Sequence, residues 1–97
     1  MKDEDIAAAA QALSEPVRLR ILQLLPAEPN CEDMYNVSEL AEELGLSQPV
    51  VSRHIAVLKR AGLVSGERIC QGVYYAINKK RAREVLAAMT QSLSGSD

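Results

Sequence analysis

The sequence predicts a mainly α-helical domain carrying one small β-hairpin, in the order α-α-α-α-β-β-α. Three observations support this. Residues 37–64, VSELAEELGLSQPVVSRHIAVLKRAGLV, hold two apolar stripes at helical spacing with a glycine between them. Residues 63–78 hold two short runs around Gln71-Gly72, the second rich in β-formers. Apolar residues make up 47% of the 97, chiefly Ala, Leu and Val with three Tyr and neither Phe nor Trp. A core of such small aliphatics suits packed helices better than a β-sandwich.

Residues 4–13 place Ile6, Ala9, Ala10 and Leu13 on one side of a first helix. Ser14 is positioned to cap the next, with Pro16 tolerated in its first turn and Val17, Leu19, Ile21, Leu22, Leu24 and Leu25 filling it. Two prolines and three acids make residues 26–35 a loop. Asn36 caps a third helix with the stripe Val37, Leu40, Ala41 and Leu44, and Glu39 is its capping-box partner. Gly45 falls where a helix end takes left-handed backbone. Leu46 fills the angle to a fourth helix, which Ser47 caps and in whose first turn Pro49 is tolerated. Its inward stripe is Val51, Ile55 and Leu58, leaving Gln48, Ser52, Arg53 and Lys59 facing out. Leu63–Cys70 and Gly72–Asn78 read as strands joined at Gln71-Gly72. Val73, Tyr74, Tyr75 and Ile77 are the β-formers of the second, and its tyrosines are core and strand-face residues. Lys79–Leu93 closes the chain as a helix with Ala82, Val85, Leu86, Met89 and Leu93 on its apolar face, and residues 94–97 should fray.

A helix-turn-helix (37–62) followed directly by a two-stranded wing (63–78) is a winged helix-turn-helix, here one domain over residues 1–97. The second helix of such a pair enters the major groove of double-stranded DNA, and the wing reaches the flanking backbone or minor groove. Gln48, Ser52 and Arg53 lie in its first turns, where base edges come within reach. Arg53 suits a bidentate pair with guanine, and Gln48 one with adenine. Ser47 offers its hydroxyl and amide to a phosphate at the helix N-terminus. Lys59, Arg60 and the wing residue Arg68 are phosphate-contact candidates that position rather than specify. His54, at the helix edge, packs against the neighbouring helix and is a further candidate for the DNA backbone.

The net charge of −2 hides a polarity. Residues 1–46 carry three basic residues (Lys2, Arg18, Arg20) against ten acidic ones, a net of −7; residues 47–97 carry eight against three (Glu67, Glu84, Asp97), a net of +5. The basic half suits phosphates, while the acidic half keeps the chain off other polyanions. No apolar run approaches the roughly 20 residues that span a membrane. The N-terminus, MKDEDIAAAA, is acidic and lacks the plan of a signal peptide, which places the protein in the cytoplasm. Cys31 and Cys70 accordingly read as free thiols.

The stretches ALSEPVRLRILQLL (12–25), VSELAEELGLSQPVVSRHIAVLKRAGLV (37–64) and GVYYAIN (72–78) together resemble the ArsR/SmtB family of bacterial transcriptional repressors over nearly the whole chain. The resemblance implies a homodimer whose interface is formed by the first and last helices, 4–13 and 79–93. Amphipathic helices at both chain ends suit that arrangement, since a two-fold interface hides their apolar faces. It also sets two recognition helices about one DNA turn apart. The family's metal sites are not reproduced. One is a CxC-type pair at the start of the helix before the recognition helix, where this chain has Asn36-Val37-Ser38-Glu39-Leu40. The other uses Asp and His pairs along the last helix, where NKKRAREVLAAMTQSL (78–93) has no His and only Glu84. With one His and two Cys in the chain, no metal and no cofactor are expected.

The effector is therefore open. Cys31 lies beside Glu32 and Asp33, whose charges disfavour a thiolate, whereas Cys70 at the wing tip lies near Arg68. Both are candidate thiol sensors. A bridge between them needs Cα atoms within about 7 Å, which loop and wing tip do not offer. Three readings follow. The first is a DNA-binding repressor released by an effector other than the family's metals, and a redox- or persulfide-responsive form of it works through Cys70 or Cys31. The second is a winged-helix protein-interaction module. The third is an enzyme, for which the sequence offers no CxxC, no Cys–His spacing and no glycine-rich phosphate loop.

Overall fold

A computed structural model describes residues 2–27, 35–69 and 71–94. Cys31, Cys70, most of the acidic loop and the side chain of Leu93 lie outside the described residues. The chain is a winged helix-turn-helix in the expected order: α1 (Asp3–Leu13), α2 (Pro16–Leu24), α3 (Val37–Leu44), α4 (Gln48–Arg60), β1 (Val64–Ile69), β2 (Gly72–Ile77) and α5 (Lys79–Ser94).

Local chemistry sets the joints. Asp3, Glu4 and Asp5 begin α1, where acids complement the helix dipole. The α1–α2 joint differs from the sequence reading. Ser14 ends α1, its hydroxyl donating to the Gln11 carbonyl at 2.7 Å, and Glu15 is the cap of α2. Glu15 Oε2 accepts from the backbone N–H of Val17 at 2.9 Å and of Arg18 at 3.3 Å. A carboxylate at a helix start satisfies orphan amides and also meets the positive end of the dipole, so Glu15 displaces the serine from that role. The capping box of α3 forms as expected: Asn36 Oδ1 accepts from Glu39 N at 2.8 Å, and Glu39 Oε1 from Asn36 N at 3.1 Å. Gly45 (φ 68°) ends α3, and Leu46 N–H returns to the Ala41 carbonyl at 2.9 Å. Ser47 holds the N-cap position of α4 but makes no side-chain cap bond, so the expected cap is positional only.

After α4 the chain turns at Gly62 (φ 77°) into β1. The strands pair antiparallel from Val64 with Ile77 to Ile69 with Gly72. Gly72 is thus already in the ladder, paired with Ile69, so the turn precedes it rather than lying at Gln71-Gly72. A two-residue hairpin turn needs positive φ, and here Gln71 supplies it at 64°. The ends of the acidic loop flank β2: Ile77 N–H donates to the Pro26 carbonyl at 2.9 Å and Tyr75 N–H to that of Tyr35 at 3.3 Å. The wing is therefore anchored along the outer edge of β2, near its base.

The core is where these elements meet α4. Val51 and Leu58 are fully buried and Ile55 nearly so, against Ile21 of α2, Leu40 of α3, Leu63 and Val85 of α5. The small side chains of Ala9 and Ala12 bring α1 close, while Ile6, Ala10 and Leu13 are half-buried. The expected apolar faces of α2 and α5 are split. Leu19 and Leu86 are 43% and 58% exposed, because each of these helices meets the body along one line and neighbouring residues point about 100° apart.

Leu58→Ala should cost about 2–5 kcal/mol in urea unfolding, since the body can collapse only partly around the lost atoms. Ala56→Ser, on the exposed side of the same helix, should stay within about 0.5 kcal/mol of the parent.

Candidate nucleic-acid interface

Helical rotation of about 100° per residue sorts α4 into three sectors. Val51, Ile55 and Leu58 point inward; Val50, His54 and Val57 form one half-buried flank; Gln48, Pro49, Ser52, Arg53, Ala56, Lys59 and Arg60 are exposed. The exposed sector is a continuous arc of about 140°. Arg53 and Arg60, seven residues apart, share one line of it, and Gln48, Ser52 and Lys59 share another. The structure thus brings Gln48, Ser52, Arg53, Lys59 and Arg60 together on one surface. Ser47 stands exposed at its N-terminal edge, where free amides and the helix dipole favour an anion.

Arg60, His54 and Arg68 have surroundings beyond that arc. Arg60 also lines a shallow concavity of about 160 Å³ with Ala8 and Gln11 of α1. With Lys59 it forms the basic last turn of α4, which complements the helix C-terminus. His54 sits on the flank facing α2, its Nδ1 3.4 Å from Arg18 Nη1 and 3.8 Å from Glu15 Oε2. Arg68 is exposed on β1, opposite Val73 across the hairpin.

No acid occurs in α4, whereas the exposed acids Glu39, Glu42 and Glu43 lie on α3 and Asp3, Glu4 and Asp5 on α1. The charge polarity of the sequence thus becomes a spatial one, with bases on α4 (Arg53, Lys59, Arg60) and at the start of α5 (Lys79, Lys80, Arg81, Arg83), while Glu67 and Arg68 balance on the wing. A second concavity, about 280 Å³, lies between α2 and the α3–α4 turn and is lined by Pro16, Val17, Arg20, Leu44 and Leu46. Among the described residues no three His, Cys, Asp or Glu side chains gather as metal ligands, and no helix is long and apolar enough to cross a membrane.

Sequence reasoning counted Arg18 only as a charge. Its Nε donates to the Ala12 carbonyl at 2.7 Å and its Nη2 to that of Gln11 at 3.0 Å, beside the contact with His54. Those acceptors follow no periodic spacing, so only the neighbouring Glu15-Pro16 helix start hinted that an arginine here would face the end of α1. Arg81 of α5 does the same at the far end of α4, its Nε donating to the Ala61 carbonyl at 3.4 Å.

Residues 15–65 match the family model described as bacterial regulatory protein, arsR family. An HTH-type transcriptional regulator of Methanocaldococcus jannaschii is 40% identical over 72 residues, 74% of this chain and 70% of that protein. The HTH-type transcriptional repressor SmtB of Mycobacterium tuberculosis is 42% identical over 65 residues, 67% of this chain and 44% of its own. The homodimeric winged helix-turn-helix DNA-binding domain of a Mycobacterium bovis regulator superposes with a TM-score of 0.69 at 26% identity, over 98% of this chain and 88% of that one.

Asn36→Ala should remove the capping box that sets the entry of α3 and lower stability by about 1 kcal/mol in urea unfolding. Asn36→Asp, which keeps the acceptor, should lose less.

Proposed function

The chain belongs to the arsR family of bacterial regulatory proteins, and from that premise we propose that it is a homodimeric repressor that reads duplex DNA with α4 and steadies the complex with the wing. The observation that carries this is the exposed arc of α4, polar and basic with no acid in it. Gln48, Ser52 and Arg53 read base edges, while Ser47, Lys59, Arg60 and Arg68 hold phosphates. Dimerisation through α1 and α5 accounts for the exposed Leu86 and the half-buried Ile6 and Met89, and the Mycobacterium bovis domain is described as homodimeric. Repression follows the name of the SmtB relative. A cytoplasmic location follows from the function. Release does not run through the family's metal positions, since residues 36–40 hold no Cys and α5 no His. It uses a small-molecule ligand or the thiols of Cys70 and Cys31.

The test is fluorescence anisotropy on the DNA upstream of this protein's own gene, with competitor duplex, before and after a mild thiol oxidant. The three cationic phosphate contacts, Lys59, Arg60 and Arg68, in each of two protomers give log K a slope near −5 against log salt, at about −0.9 per phosphate. Arg53→Ala should relax base preference at a cost of about 1–3 kcal/mol, whereas Lys59→Ala should weaken all sequences alike and flatten the slope by roughly one per protomer. Loss of binding on oxidation assigns the effector to the cysteines, and unchanged binding assigns it to a ligand. No preference over competitor contradicts the repressor reading and favours a protein-interaction module.

A further inference from the structure

We propose that Arg18 is a positioning residue that locks the recognition helix to the end of α1 through Nδ1 of His54. This rests on the reading above, in which α4 meets DNA and α1 lies in the dimer interface. The three arms of the Arg18 guanidinium go to three places: Nε to the Ala12 carbonyl (2.7 Å), Nη2 to the Gln11 carbonyl (3.0 Å) and Nη1 to His54 Nδ1 (3.4 Å). The two carbonyls belong to the last turn of α1, beyond the regular ladder of the helix; that of Gln11 also accepts from the Ser14 N–H at 3.2 Å and hydroxyl at 2.7 Å. A planar fork of donors spans such a set, whereas an ammonium point charge does not.

Guanidinium has donors only, so in this contact Nδ1 must accept and the ring proton must sit on Nε2. A protonated Nδ1 facing Glu15 would reverse that. The Glu15 contact is longer, at 3.8 Å, and its Oε2 already accepts from Val17 N and Arg18 N. The Arg18 contact therefore sets the tautomer. Arg18 thus joins the C-terminus of α1 to a side chain of α4, at the level of the base-reading residues Ser52 and Arg53. In a two-fold dimer built on α1, the angle between α1 and α4 sets the separation of the two recognition helices, and half-site spacing follows from it.

Two measurements test the link. The chain contains a single histidine, so the ¹⁵N spectrum of its neutral imidazole is read without overlap and without DNA. The Nε2–H tautomer is expected in the parent and a mixture in Arg18→Lys; a proton on Nδ1 in the parent overturns the proposal. The second measurement is affinity for a duplex enriched by the parent from a random-sequence pool, compared with non-enriched duplex. His54→Asn places an amide oxygen near Nδ1, and His54→Gln places an amide nitrogen near Nε2. His54→Asn should bind within about twofold of the parent, whereas His54→Gln and Arg18→Lys should each lose about tenfold on the enriched duplex, as for one charge-assisted hydrogen bond. Neither should lose affinity for non-enriched duplex, and the two losses should not add in the double variant. Retention by Gln with loss in Asn would make His54 a phosphate ligand through Nε2 and overturn the proposal, as would equal behaviour of both or additive losses. A parent that enriches no duplex contradicts the repressor reading alone, and the imidazole spectrum still decides the link.

Discussion

Burying Val51, Ile55 and Leu58 along one line of α4 commits the opposite arc of the same helix to solvent, and the rest of the molecule is arranged around that commitment. Each fully buried aliphatic contributes about 1.5–3 kcal/mol, so the stripe alone is comparable to the stability of a small domain. α1, α2, α3 and β1 all pack against it. The orientation of the outer arc is thereby fixed by the core, and Gln48, Ser52 and Arg53 are presented on a rigid element rather than on a loop.

Polar contacts refine that placement. Arg18 ties the middle of α4, at His54, to the last turn of α1, Arg81 donates to the Ala61 carbonyl just past the end of α4, and Gly62 brings that end close to α5: a Cβ there would stand 3.1 Å from Arg81 Nε. Charge is divided in the same geometry. Acids concentrate on α1 and α3, and bases on α4 and α5. An overall acidic chain can therefore present a basic surface, with its net charge opposing non-specific attachment to polyanions.

Much of this was legible in the sequence where local rules operate. The stripe of α4, the Asn36–Glu39 box and the left-handed Gly45 depend on residues within one or two turns, and each stands where spacing placed it. Misreadings arose where two local rules competed. Ser14 and Glu15 are both able to cap, and the carboxylate wins at the helix start; Gln71 and Gly72 both fit a turn, and strand register gives it to Gln71. The three-way contact of Arg18 and the split faces of α2 and α5 were not legible, because they depend on which helix lies opposite. The surface of α4 could be listed from periodicity alone, whereas the inward turn of His54 toward Arg18 required the packed structure.

The most direct test of the account is the change in backbone amide NMR signals when the upstream duplex is added to the protein. Shifts concentrated at Ser47–Ala56 and along the wing at Gly66–Val73 are the expected result. Shifts concentrated instead around Pro16, Arg20 and Leu44, with α4 and the wing unmoved, would contradict the assignment of α4 as the element that reads DNA.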